Sequence, residues 1–320
     1  MDTIELVPAS TDDTARIAAL INISEAFDGV PRILEVEELR EELEAPEVDL
    51  ARDLRLAISA DGDLVGWIHV RQTPAGEVQE KAFIDGTVLP SHRDQGIGRA
   101  LMDWAVPTAR ARLEAIDNHL PKYIRIYAYE QIADLQRLVT RYGFTSVRWF
   151  EELLMPLGGR PATTAPDGVD IVAWPVDRQE ETRQVKNSAF ADHWGSTPSD
   201  AADWEQRVNG FGGRPDLSFV ALDADGTMIG ICLNSCFPAD EALTGRRDAW
   251  VDTLATLSDW RGKGVASALI SHSLAAFVAA DFTHSAIGVD SSSPTGASRL
   301  YRSLGYELQH RLVVGEIQVA

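Results

Sequence analysis

Basic residues, and lysine above all, are scarce in this sequence. Its 320 residues include 29 Lys and Arg, of which only four are lysine, against 49 Asp and Glu, so the formal net charge is −20. A surface of this charge repels phosphate backbones, which argues against nucleic-acid binding as the function. It favours solubility and cationic substrates, but it carries no information about the fold.

Cysteine is nearly absent. Cys232 and Cys236 are the only two cysteines, which is too few for a disulfide scaffold. Their four-residue spacing on a predicted strand puts both side chains on one face. We expect a pair of small buried thiols in a reducing cytoplasm rather than a redox or metal site. No cluster of His, Cys and Asp has the spacing of metal ligands, so no metal is expected.

Long apolar runs are also missing. The most apolar stretch, residues 266–280, is too short to cross a membrane and contains Ser271, His272 and Ser273. The first 13 residues are acidic and lack the basic and apolar regions of a secretion signal. The sequence therefore predicts a cytoplasmic protein without a membrane span.

The length of the chain predicts two domains, because 320 residues is about twice the usual size of one domain. Residues 158–168 are rich in Gly, Pro and small polar residues and have no apolar period, which predicts a linker. The linker would separate a domain of residues 1–157 from a domain of residues 169–320.

The two halves resemble each other. LRLAISADGDLVGWIHV (residues 54–70) and LSFVALDADGTMIGICL (residues 217–233) both place apolar β-formers around an Asp-Gly pair, which predicts a β-hairpin in each half. In each half a glycine follows four residues after the turn. The offset between the two turns is 226 − 62 = 164 residues. This spacing indicates an internal repeat.

A second pair of segments extends the repeat. FIDGTVLPSHRDQGIGRALMDWA in the first half parallels WVDTLATLSDWRGKGVASALISHSL in the second, with Arg93 aligned to Arg261. Each segment reads as a strand, a short polar turn and an amphipathic helix. Each half then has a short strand, a helix and an aromatic residue after a glycine, at Phe144 and Tyr306. The order predicts a mixed α/β domain, with helices on a mixed sheet, present twice.

In each half, the polar turn that leads into the amphipathic helix contains glycine and other small residues. These turns are residues 93–98 and 261–266. The first backbone N–H groups of a helix have no partner within the helix, and the helix dipole makes that end positive. Glycine lets the main chain approach a ligand closely. The two loops therefore predict anion sites that could hold a diphosphate.

Other phosphate motifs do not fit these loops. Neither loop contains the G-x-x-x-x-G-K-[ST] pattern of a nucleotide P-loop. The dinucleotide pattern G-x-G-x-x-G fails because Leu101 and Leu269 stand at the third glycine position. The alternative is that each loop is only a tight turn between a strand and a helix. The presence of two such loops in matching contexts favours an anion site over this alternative.

Arg-x-x-Gly-x-Gly/Ala after a strand and before an amphipathic helix resembles motif A of the GCN5-related N-acetyltransferases (GNAT). VDSSSPTGASRLYRSLGY (residues 289–306) resembles that family's final strand and helix. The resemblance covers both halves apart from the linker. The second half most resembles the actinobacterial tandem acetyltransferases, of which mycothiol synthase is the best-known type. It implies two tandem GNAT domains of α/β class, each with a mixed sheet.

The resemblance implies transfer of an acetyl group from acetyl-CoA to a primary amine of a small molecule, by direct attack in a ternary complex. The diphosphate would lie on the motif A loop, and the pantetheine would pair with the preceding strand where two strands separate. The implied cofactor contacts are Val88, Arg93, Gln95, Gly96, Ile97 and Gly98 in the first half, and Leu254, Ala255, Thr256, Arg261, Gly262, Lys263, Gly264, Val265, Ala266, Ser293 and Ala297 in the second.

The same resemblance gives Tyr301 the role of general acid toward the departing thiolate. Ser293 stands where the family usually has asparagine. A base is needed because the attacking amine must be neutral. Asp252 is favoured for this role, and the alternatives are Asp248, Asp290 and His193. The acceptor pocket would include His193 and Trp194, after the first predicted helix of the second half.

The first half departs from the family pattern, since Val139 stands where Tyr301 stands in the second half. Tyr142 is a weak substitute, one helical turn further on. We therefore expect a catalytic C-terminal domain beside a degenerate N-terminal domain. A CoA-binding regulatory or scaffold protein without turnover, and acetylation of a protein N-terminus, remain alternatives. The two halves would form a monomeric pseudo-dimer or belong to a homodimer.

Overall fold

The computed structural model describes residues 4–72, 78–158, 163–293 and 297–319. Residues 159–162 of the predicted linker lie outside this part of the chain. By compactness the chain divides into unit 1, which comprises Met1–Trp149 and Arg311–Ala320, and unit 2, Phe150–His310. The predicted linker at residues 158–168 remains a prediction as a domain boundary.

The elements that precede the long connecting strand belong to unit 1. They are β1 (Glu5–Pro8), α1 (Thr14–Asp28), α2 (Val36–Leu43), α3 (Leu50–Asp53), β2 (Leu54–Ile58), β3 (Leu64–Gln72), β4 (Glu80–Val88), α4 (Ile97–Glu114), β5 (Lys122–Tyr129) and α5 (Ala133–Arg141). The strand β6 (Thr145–Pro156) follows.

The second half repeats this order with two differences. Its elements are β7 (Val169–Ala173), α6 (Gln179–Ala189), α7 (Ala201–Asn209), β8 (Phe219–Asp223), β9 (Met228–Cys236), α8 (Asp240–Thr244), β10 (Asp248–Thr256), α9 (Val265–Ala279), β11 (His284–Asp290), α10 (Ala297–Leu304) and β12 (Glu307–Val319). In the part of the chain that the structure describes, no α-helix stands between α7 and β8, and α8 lies between β9 and β10.

The strand order is the same in both units. Unit 1 has β1-β2-β3-β4-β5-β12 and unit 2 has β7-β8-β9-β10-β11-β6. All neighbours are antiparallel except β4 with β5 and β10 with β11, which are parallel. The mixed α/β class and its duplication, predicted from the sequence, are confirmed.

The last strand of each unit comes from the other half of the sequence. Residues 312–319 of β12 pair with β5 in unit 1, and residues 150–156 of β6 pair with β11 in unit 2. In unit 1, Arg125 Nε donates to Glu316 at 2.7 Å, and the two side chains are only 4% and 14% exposed. This buried ion pair fastens the C-terminal strand to unit 1.

Each sheet is covered by helices on both faces. In unit 1, α4 packs in one core cluster and α1 in another, and in unit 2, α9 packs in one cluster and α6 in another. The glycine after each hairpin turn has a packing role. A Cβ on Gly66 would lie 3.2 Å from Leu101, and one on Gly230 would lie 3.0 Å from Leu269. Glycine at these positions lets α4 and α9 lie directly on the strands.

Candidate functional site

Each glycine-rich loop connects the end of a strand to the start of the helix that covers the sheet, β4 to α4 and β10 to α9. The N-cap residues Gly96 and Gly264 have φ of 89° and 91°, in the left-handed region that favours glycine. Neither cap offers a side chain to the first-turn N–H groups. Those groups are therefore available to an anion.

The first arginine of each loop is tied to the end of the first helix of its unit. Arg93 donates to both carboxylate oxygens of Asp28, at 2.6 and 2.8 Å. Arg261 donates to Asp192 at 2.7 and 3.2 Å. In each case Nε also donates to the last carbonyl of the preceding strand. These arginines fasten the loops, so an anion would be held mainly by backbone groups.

The two parallel strands of each unit separate after four residue pairs. β4 pairs with β5 only as far as Phe83 and Arg125, and β10 pairs with β11 only as far as Val251 and Ile287. In unit 1, Leu89 N–H donates to a carbonyl on the β3 side. Since backbone groups alternate sides along a strand, the N–H groups of Gly86 and Val88 face the gap.

Unit 1 has a cleft of about 770 Å³ along this gap. Val88, Arg93, Gly96 and Gly98, all expected to contact the cofactor, line one end of it. Residues of β5 and α5 line its middle. Asp28, which holds Arg93, lies at the loop end. Three further carboxylates, from α1, α2 and β4, line the other end, and they are Glu25, Glu42 and Asp85. One continuous space thus joins the glycine-rich loop to a group of acids.

Asp85 is the acid on the strand that borders the gap. Its side chain keeps 40% of its surface accessible, but the walls of the cleft surround it, and the resulting desolvation raises its pKa. Arg71, with Nη2 at 3.8 Å, opposes this rise. Burial likewise raises the pKa of Glu42. This end of the cleft is suited to taking up a proton.

In unit 2 the corresponding loop is in contact with the segment that precedes β7. A Cβ placed on Gly264 would lie 3.5 Å from Pro166. Thr163 N–H donates to Ser271 Oγ on the second turn of α9 at 2.6 Å. At Gly96, by contrast, the nearest neighbours of such a Cβ are atoms of the Arg99 side chain, the first of them Nη2 at 3.2 Å. The two loops share a backbone geometry but have different surroundings.

Asp252, the favoured base, lies at an irregularity in β10. The pairing with β9 shifts between Val251 and Thr253, so Asp252 is an extra residue in the strand. Its side chain is accessible to solvent but lies inside a cavity. Desolvation there raises its pKa to about 6, against the opposing effects of the nearby Ser235 hydroxyl and of the charge of Arg207. Asp248 is held by Arg246 at 2.9 Å.

Two further candidates come together in unit 2. His193 Nε2 lies 4.0 Å from the buried carboxylate of Asp290, at the end of β11. The ring of His193 also packs on Phe190, with centroids 5.2 Å apart. Trp194 follows in the same turn and is half-buried. The geometry therefore links His193 to Asp290 rather than to Asp252.

Tyr301, the expected general acid, is 5% exposed and belongs to the core of unit 2. Its ring packs edge-on against Tyr306, with centroids 6.0 Å apart, and burial raises its pKa. Val139 occupies the matching core position in unit 1. The hydroxyl oxygen of Tyr142 lies 2.9 Å from Arg99 O and 2.5 Å from Asp103 Oδ1, and its single hydrogen is shared between these acceptors, so Tyr142 joins α5 to α4.

The remaining expected contacts lie close to the loops. In β10, Leu254, Ala255 and Thr256 pair with β9. Gly262 has φ of 72°, Lys263 lies over the Trp260 ring, and Val265 and Ala266 begin α9. Gln95 Nε2 donates to Ser91 O, and Ile97 is buried at the start of α4. Ser293 N–H donates to Asp290 O, and Ala297 begins α10.

Both cysteines are buried and free. Burial raises the pKa of Cys232 to about 12, and Ser273 Oγ donates to its sulfur at 3.1 Å. A thiol with this pKa stays protonated at neutral pH and is a poor nucleophile. The expectation of two buried thiols is confirmed.

Sequence reasoning missed the carboxylates of the cleft in unit 1 and the aspartates that hold the loop arginines. The repeat in the sequence could have indicated the two aspartates that hold the loop arginines. The offset between Asp28 and Asp192 is 192 − 28 = 164, equal to that of the hairpin turns. The acids of the cleft come from three separate elements, and no local motif joins them.

Among residues 4–72, 78–158, 163–293 and 297–319, no group of three or more His, Cys, Asp or Glu side chains is arranged to hold a metal ion. In the same part of the chain, every helix is too short or too polar for a membrane crossing.

Comparison with known proteins agrees with the geometry. Residues 20–128 and 180–306 match the family model described as "Acetyltransferase (GNAT) family". The mycothiol acetyltransferase of Tsukamurella paurometabola is 27% identical over 282 residues, covering 81% of this chain and 82% of that protein. The one from Streptomyces coelicolor is 26% identical over 309 residues, covering 94% and 90%.

Solved structures share the fold. A GCN5-related N-acetyltransferase from Sphaerobacter thermophilus superposes with a TM-score of 0.77 at 23% identity, covering 99% of this chain and 96% of that one. A tandem GNAT protein from the clavulanic acid biosynthesis pathway has a TM-score of 0.74 at 17% identity, with 99% of both chains covered. Since the family model matches most of the sequence, the chain belongs to the GNAT family and is an acetyl-CoA-dependent N-acetyltransferase.

Proposed function

We propose that unit 1 brings acetyl-CoA and a primary amine of a small molecule together in its cleft, and that the amine attacks the thioester directly in this ternary complex. The observation that carries the proposal is the continuity of the cleft. The same 770 Å³ space is lined by the glycine loop at one end and by Asp85 at the other. Direct transfer needs donor and acceptor to meet in one place.

The donor end fits an anionic, elongated carrier. The first turn of α4 follows Gly96, and no side chain caps its N–H groups. The left-handed φ of Gly96 favours glycine, so the loop has no side chain at this position. The N–H groups of the first turn would bind the diphosphate. The exposed edge of β4 beyond Phe83 would pair with the amide groups of the pantetheine arm. Acetyl-CoA supplies the activated acyl group when it is bound there.

The acceptor end supplies the base. Asp85 would take the proton from the attacking amine while the new C–N bond forms and the C–S bond breaks. The N–H groups of Gly86 and Val88 face the gap and would stabilise the negative charge that develops on the thioester oxygen. The departing thiolate would receive a proton from Tyr129, a partly exposed tyrosine on the wall of the cleft.

Unit 2 is the second candidate, and it was the one expected from the sequence. Asp252, with a pKa of about 6, is poised as a base near neutral pH, and His193 lies beside Asp290. The contacts of Pro166 and Thr163 with the loop and helix weigh against this unit as the donor site. Tyr301 and Ser293 belong to this candidate and stay predictions.

A matched pair of loop variants tests where CoA binds. Gly98→Val and Ala266→Val each enlarge the second helical position of one loop. Gly98→Val should weaken CoA binding, measured by calorimetry, about tenfold or more, because a branched side chain there, whose Cβ would lie 3.2 Å from Leu138, would crowd the cleft beside the loop. Ala266→Val should leave affinity unchanged. The reverse pattern would assign the donor site to unit 2.

Turnover is tested separately by release of the CoA thiol from acetyl-CoA with a panel of acceptors. The panel contains a diamine, an amino sugar, mycothiol-related amines and a peptide with a free N-terminus. The mycothiol-related amines are included because relatives are named mycothiol acetyltransferases. A small amine should give the fastest release. Binding of CoA without release for any acceptor would favour a regulatory or scaffold protein, and release with the peptide alone would favour acetylation of a protein N-terminus.

A further inference from the structure

Unit 2 contains a second cavity, away from its glycine loop and of about 280 Å³. This volume is at the small end of ligand sites, so it suits a molecule of amino-acid size and is too small for a nucleotide. It is bordered by α7, by the turn after it, and by β9 and β10. The transfer proposed for unit 1 makes no use of it.

Three aromatic side chains contribute to the apolar part of this cavity. Phe211 and Phe237 are stacked, with ring centroids 6.4 Å apart and planes inclined by 26°. Trp174 is 6% exposed, and its Nε1 donates to Thr182 Oγ1 at 3.0 Å. Because that hydrogen bond satisfies the indole N–H, Trp174 adds apolar surface to the wall. An aromatic ring of a ligand would gain most from such walls.

Most polar groups of the cavity are committed to neighbours. Arg214 forms two hydrogen bonds to Asp216, at 2.8 and 2.6 Å. The side-chain amide of Asn234 donates to Leu217 O and Ser273 Oγ at 2.6 and 3.0 Å. These groups hold the walls in place, and among the described residues the Ser235 hydroxyl is left without a hydrogen-bond partner.

Two charged groups of opposite sign differ from the others. Asp252 and Arg207 both line the cavity and are close enough to interact electrostatically. Neither forms an ion pair within 4.0 Å in the described part of the chain. Arg207 lies on the exposed side of α7 and Asp252 lies at the irregularity in β10, and both side chains are accessible to solvent. The cavity therefore offers one anion and one cation beside an aromatic wall.

We propose that this cavity binds the zwitterion of an aromatic α-amino acid, with the ammonium group on Asp252, the carboxylate on Arg207 and the ring against Phe211, Phe237 and Trp174. Charge-assisted hydrogen bonds to the two ends fix the orientation of the ligand. A simple amine would satisfy Asp252 alone, and a simple acid would satisfy Arg207 alone. Both would leave one protein charge without a partner.

Calorimetry on the full-length protein without CoA tests this assignment with three probes of one shape. They are L-phenylalanine, 2-phenylethylamine, which lacks the carboxylate, and 3-phenylpropanoate, which lacks the ammonium group. L-Phenylalanine should bind about tenfold or more tightly than either analogue. Equal binding of 2-phenylethylamine would overturn the role of Arg207, and absence of heat with L-phenylalanine would overturn the site.

Variants localise the binding. Arg207→Gln and Asp252→Asn should each weaken L-phenylalanine binding about tenfold or more. Glu205→Gln on the same helix is the matched control and should bind as the wild type does. Asp85→Asn should also bind normally, because that residue lies in the cleft of unit 1. Loss of binding in Asp85→Asn alone would place the amino acid in that cleft and refute the second site.

Discussion

Replacement of Asp85 by Asn tests the base assigned to unit 1. The substitution keeps the shape of the side chain and removes its ability to accept a proton. General-base catalysis contributes about 10²–10⁴ in rate, which corresponds to roughly 3–5 kcal/mol of barrier. We expect kcat/KM for the amine to fall by about that factor, while the affinity for CoA, bound at the other end of the cleft, stays unchanged.

The pH dependence gives a sharper test. Desolvation raises the pKa of Asp85 above its ordinary value, and a protonated carboxyl group cannot take the proton of the amine. Activity should therefore fall as the pH decreases through this pKa, and that acid limb should be absent from the residual activity of Asp85→Asn. If Asp252 were the base, the limb would be centred near its own pKa of about 6.

The assay is release of the CoA thiol over a pH series, with Asp252→Asn as the matched control.

The Asp85→Asn substitution should not act through stability. A carboxyl group whose pKa is raised in the folded state favours folding most at low pH, and this contribution declines as the pH rises through the folded pKa. Removing the charge of Asp85 should therefore not destabilise the protein at neutral pH. Full activity in Asp85→Asn together with loss in Asp252→Asn would refute the assignment to unit 1.

Three further outcomes are expected. Tyr301→Phe should retain turnover within about twofold, because the ring lies in the core of unit 2; a loss of about 10² would assign the chemistry there. Pro166→Gly should loosen the segment on the second loop and raise the CoA stoichiometry in calorimetry from one towards two. Arg125→Met should lower the free energy of unfolding in urea by about 3 kcal/mol, because it leaves Glu316 buried without its partner. The exposed Arg137→Met should change it by less than about 0.5 kcal/mol.

The repeat was the part of the structure most accessible from sequence, because it depends on local patterns. An Asp-Gly pair between apolar β-formers defines a hairpin within a few residues, and the observed turns have Gly62 and Gly226 at φ of 88° and 79°. The helix starts at Gly96 and Gly264 follow from the same local chemistry. Features that depend on one short segment could be predicted with their positions.

Features that depend on long-range pairing could not be predicted in this way. The sequence of β12 contains no information that selects β5 as its neighbour, although that pairing closes the sheet of unit 1. The helical period places Tyr301 on an apolar face, but it does not tell whether that face meets the core or the cofactor. The acids Glu42 and Asp85 meet only because α2 and β4 border one cleft. Each of these outcomes is decided by tertiary packing.

Motif matching alone gives the two halves the same donor role, because the motif reports backbone geometry. Gly96 and Gly264 adopt the same conformation, and a tight loop of this kind is required to connect the strand to the helix whether or not it binds an anion. What differs lies outside the motif: Pro166 contacts one loop, and the other opens into a large cleft. The two copies of the loop share their backbone geometry but differ in the side chains around them. The surroundings of each loop, rather than its sequence, should therefore decide which copy binds the donor.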